Sequence, residues 1–394
     1  MLSDGLKYQD SRMATCEEMK QDLAPFALHD AAAKSKGGPV LLRDGDTVYT
    51  DPSDSHSLIV GDTGSMKTLR FVLPLIYSCA AADESMVIVD PKGELARKSE
   101  SFLSAKGYKT VIINMRDPQR SPDTWNPMGV IERAYKSGEE GQQKAVLQLN
   151  DMLNDIFFRR VDTKDPYWNE SAGQLALGIC LLLLALGEKL NMKNLLKWRY
   201  EKLADGTLDK CFRNLPTDGE IYQNLAGYLG MTAENTKSCI RSTFDQLVRV
   251  FKSAPALTEM LNDTSFDIER IGEAKAAVFV VIPDEKTTFH FLATLFISQC
   301  YTTLLETAER HGGSLPRRTN IILEEFCNLP ALGDIVPMIT AARSRNIRLH
   351  MVIQSYGQLV EKYGENVSRA ILDNCGNMIY LHTREMDFLT HISR

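Results

Sequence analysis

Short apolar runs recur along the chain, and most of them are continuous rather than alternating with polar residues. Strands buried on both faces of a parallel sheet have this pattern, because helices cover both sides of such a sheet. Stretches of helical periodicity lie between the runs, which predicts an α/β fold class. The predicted strands are Leu58–Val60, Met86–Val89, Thr110–Ile113, Ala277–Ile282, Asn320–Leu323, Leu349–Ile353 and Met378–Leu381.

The predicted strands are unevenly spaced, because the interval from Val130 to Leu261 contains none of them. The helical patterns in this interval are Ala145–Phe158, Ser171–Leu186 and Thr236–Phe251. We therefore expect a discontinuous α/β domain made of residues 1–130 and 262–394, and an inserted all-helical domain of residues 131–261.

Two patterns precede the first strand of the α/β domain. Residues 1–35 have no clear period, which predicts a loosely packed helical lead-in. A β-hairpin follows, with strands Val40–Arg43 and Thr47–Tyr49 on either side of Asp44-Gly45, a pair that favours a tight turn.

Composition narrows the possible functions. The chain has 394 residues, of which 44% are hydrophobic, and this is typical of a folded soluble protein. Lys and Arg number 45 against 51 Asp and Glu, so the net charge of -6 excludes a global electrostatic attraction to nucleic acid and leaves only local patches. The cysteines are scattered without a CxxC pair, which predicts free thiols in a reducing compartment. They are Cys16, Cys79, Cys180, Cys211, Cys239, Cys300, Cys327 and Cys375.

One uncharged run, Ser171 to Gly187, raises the question of a membrane span. The run is shorter than the ~20 residues that cross a bilayer, and it contains Gln174 and three glycines. The first ten residues lack the basic-then-apolar plan of a secretory signal. We therefore expect a buried core helix and no intrinsic membrane span.

The segment GDTGSMKT follows a predicted strand and precedes an apolar helical pattern, which is the context of a phosphate-binding loop. In such a loop, backbone N–H groups and the helix N-terminus converge on phosphate, Lys67 neutralises its charge, and Thr68 offers a hydroxyl to Mg²⁺. The alternative is an ordinary glycine-containing turn between a strand and a helix. The candidate nucleotide-binding residues are Gly61, Asp62, Thr63, Gly64, Ser65, Met66, Lys67 and Thr68.

Met66 departs from this pattern, which asks for glycine immediately before the lysine. If the backbone there needs a positive φ, a non-glycine residue costs about 1–2 kcal/mol. Such a cost would weaken nucleotide binding roughly 5–30-fold, and restoring glycine would then raise affinity by about tenfold.

The segment NIILEEF supplies the acidic half of an ATPase site. Glu324 and Glu325 follow the predicted strand Asn320–Leu323, at the edge where ligands bind in open α/β sheets. An ATPase needs one carboxylate to organise Mg²⁺ and a second to polarise the attacking water. The alternative is a solvated loop.

Two polar features follow NIILEEF. One is a predicted local basic patch, since no acid lies between Asp334 and Glu361, and an arginine there could contact a neighbouring subunit's phosphate or a nucleic-acid backbone. A solvated helix end is the alternative. The other is Gln354, which ends a predicted strand and could sense phosphate, orient water or simply terminate the strand. The patch comprises Arg343, Ser344, Arg345, Asn346 and Arg348.

The order of motifs resembles the coupling-protein ATPases of type IV secretion and bacterial conjugation. The strand followed by DPKGEL is the most distinctive of them, because phosphate loops alone are widespread. Taken singly, DPKG is an ordinary turn and the tryptophans are core or interface aromatics. The similar segments are GDTGSMKT (Gly61–Thr68), MVIVDPKGEL (Met86–Leu95), WNPM (Trp125–Met128), DPYWNESA (Asp165–Ala172), NIILEEFCNLPALG (Asn320–Gly333) and IQSYGQLVEKYG (Ile353–Gly364).

The resemblance implies a RecA-like P-loop NTPase domain, a mostly parallel sheet flanked by helices, that binds ATP and Mg²⁺ between subunits of a ring, usually a hexamer. It also implies that the all-helical domain receives relaxase-bound single-stranded DNA or a protein substrate and passes it to the type IV secretion channel. The implied function is an ATP-driven translocase. The alternatives are a nucleotide-insensitive substrate receptor with a decayed phosphate loop, and another DNA-pumping ATPase of the same fold.

The resemblance also implies roles for individual residues. Lys67 would hold phosphate, Thr68 and Glu324 (normally Asp) would hold Mg²⁺, and Glu325 would be the catalytic carboxylate. Arg343 falls at the position of the family's arginine finger, and Gln354 at that of its strand-end glutamine. The family's N-terminal membrane helices are missing, and the family normally continues beyond the last strand found here. We therefore expect a cytosolic or truncated form, located in the cytoplasm at the inner face of the bacterial membrane through its partners.

Overall fold

The computed structural model describes residues 14–27, 36–157 and 166–382. The strands are β1 (Ala24–Ala27), β2 (Val40–Asp44), β3 (Thr47–Thr50), β4 (Ser57–Gly61), β5 (Ser85–Asp90), β6 (Lys109–Asn114), β7 (Ala276–Val281), β8 (Thr319–Leu323), β9 (Ile347–Ile353) and β10 (Asn377–His382). The helices are α1 (Cys16–Asp22), α2 (Leu73–Ala81), α3 (Glu94–Ala105), α4 (Gly129–Tyr135), α5 (Glu139–Phe157), α6 (Tyr167–Ala185), α7 (Met192–Lys197), α8 (Thr207–Arg213), α9 (Glu220–Leu229), α10 (Glu234–Leu247), α11 (Arg249–Ser253), α12 (Pro255–Met260), α13 (His290–Arg310), α14 (Ile335–Ala342) and α15 (Tyr356–Asn374).

A seven-stranded sheet in the order β10-β4-β9-β8-β5-β7-β6 forms the centre of the molecule. Every neighbouring pair in this sheet is parallel, and each of its strands is one that the sequence predicts. The α/β prediction is therefore confirmed. Because β4 and β8 are separated only by β9, the segments that follow β4 and β8 emerge close together at the carboxyl edge.

Both faces of the sheet are buried, which explains the continuous apolar runs. In β5, Val87 and Val89 pack into the larger core cluster, whereas Met86 and Ile88 pack into the smaller one on the opposite face. The smaller cluster is closed by α2 and α3, and the larger one by α13, α14 and α15 together with the helical segment. Alternate side chains thus serve two separate cores, and each must be apolar.

Helices alone occupy the described part of the segment between β6 and β7, residues 129–157 and 166–260. Within the described ranges, α6 is the helix long and apolar enough to cross a membrane, but 72% of its apolar window is buried inside the protein. It packs against α5, α9 and α10 as a core helix. One apolar core runs from this segment into the sheet, so the domain boundaries at 130/131 and 261/262 stay a prediction.

The WNPM motif connects the helical segment to the sheet. The Trp125 indole donates a hydrogen bond to Gln299 on α13 (2.9 Å), and its ring packs edge-on against Phe296. The side chain of the next residue, Asn126, donates to the Leu190 carbonyl beyond α6 (2.8 Å). The motif is therefore buried between the helical segment and the sheet. This agrees with the prediction that its tryptophan is a core or interface aromatic.

The amino-terminal region corrects two predictions. A helix is present at α1, but Ala24–Ala27 is a strand that pairs antiparallel with β3 and completes a three-stranded sheet with β2. This strand has no recognisable pattern because pairing with a distant edge, not local propensity, stabilises it. In the hairpin, Asp44 pairs with Thr47, so the turn is formed by the two residues between them rather than by Asp44-Gly45.

Candidate functional site

The loop after β4 adopts two left-handed backbone conformations, at Gly64 (φ 86°) and Met66 (φ 61°). Gly61 allows a close approach instead, because a Cβ atom there would lie 2.6 Å from the Ser65 hydroxyl oxygen and that side chain would have to move. The chain then enters a single π-helical turn, Thr68–Val72, which leads into α2. The predicted strand, glycine loop and helix are all present.

Met66 takes the left-handed conformation at a position where the phosphate-loop pattern has glycine. The side chain is 49% exposed, so it does not fill the interior of the loop. A positive φ costs a methionine about 1–2 kcal/mol relative to glycine. Because the folded loop itself contains this conformation, we expect the strain to lower the stability of the fold rather than the affinity for a ligand.

Polar groups inside the loop fit a phosphate. The Lys67 ammonium is 7% exposed and turns into the loop, where it donates to the carbonyls of Gly61 (2.5 Å) and Asp62 (3.3 Å). The Ser65 hydroxyl is buried and has no hydrogen-bond partner among the residues that the structure describes. An unpartnered buried hydroxyl costs free energy. An anionic acceptor that enters the loop would accept a hydrogen bond from this hydroxyl and would replace the two carbonyls as the partner of Lys67.

The two candidate magnesium ligands touch one another. Thr68, at the start of the helix after the loop, donates its hydroxyl hydrogen to Glu324, at the end of β8. Burial raises the pKa of Glu324 to about 7, and the nearby charges of Asp90 and Glu325 act in the same direction. The loop and the acidic strand end, which are 256 residues apart in the chain, therefore face each other across a small gap.

Glu325 and Gln354 are also brought together. The Gln354 amide donates to the Glu325 carboxylate (2.9 Å), and the Gln354 oxygen accepts from the Thr63 hydroxyl in the loop (3.3 Å). Glu325 itself is left-handed, with φ 54° and ψ 46°. Of the predicted site residues, those of the loop, both glutamates and the glutamine thus form one cluster.

Sequence reasoning missed the contribution of Asp90, the first residue of DPKGEL. Its carboxylate accepts backbone hydrogen bonds from Glu94 (3.2 Å) and Ala96 (3.0 Å), which caps the start of α3. Burial raises the pKa of Asp90 above its usual range. The motif is a turn, as predicted, but its acid also adds negative charge beside Glu324. The sequence could have indicated this role, because Asp90 follows a continuous apolar run and therefore ends a buried strand at the same edge as Glu324.

Arg343 lies away from this cluster. It is exposed and precedes β9, whereas Gln354 follows β9, so the two residues lie at opposite edges of the sheet. A strand of 7 residues spans about 23 Å at ~3.3 Å per residue. The side chain therefore cannot reach the loop of its own chain.

The predicted basic patch is wrong for Arg348. This residue is 1% exposed, pairs with the Glu84 carboxylate (2.7 Å) and donates to the Asn320 side chain (2.9 Å). Arg318, also buried, contacts the other oxygen of Glu84 (3.5 Å). The arginine belongs to a buried polar network at the amino edge, because β9 is covered on both faces and every one of its residues is buried regardless of charge.

The chain is similar to known proteins of conjugative DNA transfer. The family model for type IV secretory system conjugative DNA transfer matches residues 9–394. The conjugal transfer protein TraG of Rhizobium radiobacter is 23% identical over 350 residues, which are 86% of this chain and 51% of that protein. The protein VirD4 of the same organism is 22% identical over 363 residues, 88% of this chain and 48% of that protein. The chain thus spans about half the length of these relatives.

Solved structures share the fold. The plasmid coupling protein TrwB in complex with the non-hydrolysable ATP analogue ADPNP superposes with a TM-score of 0.61 at 20% identity, over 92% of this chain and 78% of that one. TrwB in complex with ADP and Mg²⁺ superposes with a TM-score of 0.58 at 19% identity, over 86% of this chain and 74% of that one. The fold is therefore the RecA-like P-loop fold.

Proposed function

The chain belongs to the type IV secretory system conjugative DNA transfer family, and we propose that it is an ATP-driven coupling ATPase. The contact between Thr68 and Glu324 carries this proposal, because it joins the phosphate loop to the acidic strand end. Either half alone has an ordinary structural explanation, whereas an ATPase needs both at one place.

The loop residues would bind the nucleotide. Lys67 would exchange its two carbonyl partners for phosphate oxygens, and the unpartnered Ser65 hydroxyl would gain an acceptor. Thr68 and Glu324 would hold Mg²⁺, which when bound neutralises charge on the β- and γ-phosphates. Glu324 must be ionised for this role, so its raised pKa predicts proton release on loading near neutral pH.

Glu325 would act as the base that orients and polarises the attacking water. Its carboxylate is linked to the loop by Gln354, whose side chain donates to one carboxylate oxygen and accepts from Thr63. Because a base must lie within hydrogen-bond reach of the water, a fixed carboxylate beside the phosphate loop suits this role. Gln354 would keep Glu325 oriented and would sense movement of the loop through Thr63.

We assign Arg343 to a neighbouring copy's site. Its exposed position at the opposite edge from Glu325 supports action across a subunit boundary. An arginine supplied from a second subunit stabilises charge on the transferring phosphoryl group. The proposal therefore includes a homo-oligomeric ring, usually a hexamer in this family.

The proposed cargo is single-stranded DNA bound to a relaxase, or another secreted protein, delivered to a type IV secretion channel. The names of the relatives support this part, since TraG is a conjugal transfer protein and TrwB a conjugative coupling protein. The proposed location is the cytoplasmic side of the bacterial membrane, reached through channel partners.

The test is phosphate release from ATP by the purified chain, alone and with single-stranded DNA. We expect Mg²⁺-dependent hydrolysis that Glu325→Gln abolishes while nucleotide binding persists. Lys67→Ala should abolish both, because it removes the cation from the loop. Lys92→Ala is the matched control, since this exposed lysine lies in the turn before α3 and outside the loop. Absence of hydrolysis in every assembly, with Glu325→Gln indistinguishable from the parent chain, would refute the ATPase proposal.

The competing candidate is a nucleotide-insensitive receptor, and Met66 is the observation that favours it. Calorimetric titration with ADPNP separates the two. Binding that Lys67→Ala removes supports the motor, whereas no heat from the parent chain supports the receptor.

A further inference from the structure

The catalytic turn, which we define as residues 325–328, needs external support. Glu325 is a non-glycine residue with φ 54°, a conformation that costs about 1–2 kcal/mol and persists only where the surroundings stabilise it. Inside the turn, the Asn328 amide donates to the Glu325 carbonyl (2.8 Å). The Asn328 side-chain amide also donates to the Glu325 carboxylate at 3.4 Å. This hydrogen bond is long and therefore weak, so contacts from other elements are needed to fix the direction of the carboxylate.

Tyr363 supplies an aromatic contact of this kind. Its ring stacks on Phe326, the residue after Glu325, with centroids 5.4 Å apart and planes 15° from parallel. Phe326 is completely buried, so the stacked ring lies on the inner side of the turn. The Tyr363 hydroxyl also accepts a hydrogen bond from the Leu332 amide (3.2 Å), which holds the chain beyond the turn.

The same helix positions the other partner of Glu325. Gln354 precedes α15 by two residues, and the Ser355 side chain caps the helix by accepting from the Gln358 amide (3.3 Å). Tyr363 lies two turns further along, immediately before a break in the helix at Gly364 (φ 76°, ψ 163°). The segment from Gln354 to Tyr363 therefore contacts the carboxylate just before the helix and the aromatic ring of the turn two helical turns later.

From these contacts we infer that Tyr363 is a positioning residue for Glu325. It touches neither the loop nor the reacting groups, and it acts by fixing Phe326 and thereby the direction of the carboxylate. This inference rests on the proposed ATPase function. Displacement of a catalytic group by about 1 Å can cost 100-fold in rate, so loss of the ring should lower turnover without altering the nucleotide-binding loop.

The experiment compares Tyr363→Leu and Tyr363→Phe in the full chain. We expect kcat to fall about 10–100-fold in Tyr363→Leu, with the Kd for ADPNP within about twofold of the parent chain. Tyr363→Phe keeps the stack and loses only the bond to Leu332, so its kcat should fall about threefold or less. Tyr108→Leu is the matched control, because this buried tyrosine also bonds the backbone through its hydroxyl, which donates to the Glu84 carbonyl (2.7 Å), but it lies at the amino edge.

Amide hydrogen exchange supplies a readout that does not need activity. In Tyr363→Leu, residues 324–333 should exchange faster while residues 61–68 remain as in the parent chain. Unchanged kcat and unchanged exchange would overturn the inference, as would an equal loss of kcat in Tyr108→Leu. If the parent chain hydrolyses no ATP, the proposed function fails, and exchange alone then decides whether Tyr363 holds the turn.

Discussion

Met66 provides a sharp test of the phosphate loop. Its left-handed conformation, with φ 61°, belongs to the folded loop, and we expect the fold rather than the nucleotide to impose it. Replacing it with glycine removes about 1–2 kcal/mol of strain from the folded protein. Glycine also gives the unfolded chain more freedom, which offsets about 0.4–1 kcal/mol of that gain.

We therefore expect Met66→Gly to stabilise the fold by at most about 1.6 kcal/mol and to leave nucleotide affinity within about twofold. This differs from the tenfold gain in affinity expected if binding had to impose the positive φ. The measurements are urea unfolding for stability and calorimetric titration with ADPNP for affinity.

Two variants serve as controls. Met66→Ala shortens a half-exposed side chain but keeps the strain, so both measurements should stay near those of the parent chain. Asp83→Gly relieves another left-handed residue (φ 61°) outside the loop, and it should alter only stability. A rise in affinity of fivefold or more in Met66→Gly alone would refute the reasoning, because the loop would then have to be strained by the ligand. An equal rise in Met66→Ala would instead show that the methionine side chain enters the site.

Three further predictions follow from other parts of the fold. Arg348→Met breaks a buried ion pair and should cost about 3–5 kcal/mol in urea unfolding, whereas exposed Arg343→Ala should cost less than about 0.5 kcal/mol; equal effects would contradict their assigned burial. Burial lowers the pKa of His56 to about 4, so protonation of the unfolded chain below pH 6.5 destabilises the fold. Between pH 7 and 5, the free energy of unfolding should therefore fall by about 2 kcal/mol less in His56→Gln than in the parent chain, as measured by urea unfolding at each pH. Gly61→Ala places a Cβ 2.6 Å from the Ser65 hydroxyl and should weaken ADP binding about tenfold in calorimetry; unchanged binding would show that the loop relaxes.

His56 shows how a histidine can be held neutral. The Leu349 amide donates to its Nδ1 (2.9 Å), so the proton sits on Nε2 and is donated to the Ile339 carbonyl (2.8 Å). A proton added at Nδ1 would displace the amide of β9, and the positive charges of Arg343 and Arg348 oppose it as well. Protonation of the folded protein is therefore coupled to loss of a bond inside the sheet.

The sheet strands and the chemistry of the phosphate loop could be read from the sequence. Strands covered on both faces must be continuously apolar, and this pattern is visible in each segment even when its neighbouring strands and helices are not known. The glycine loop with Lys67 and Thr68, and the acids after β8, are local patterns of the kind that phosphate and magnesium sites need, so the sequence alone could predict them as candidates. The order of these motifs added the family resemblance.

Tertiary structure alone decided which of these residues meet. The contact of Thr68 with Glu324 depends on β9 inserting between β4 and β8, and strand order is set by long-range pairing that no local segment encodes. The same pairing buried Arg348 among acids while leaving Arg343 exposed five residues away. Local sequence specifies what a residue is able to do, whereas burial and neighbours, which arise from distant parts of the chain, determine which of those possibilities the fold uses.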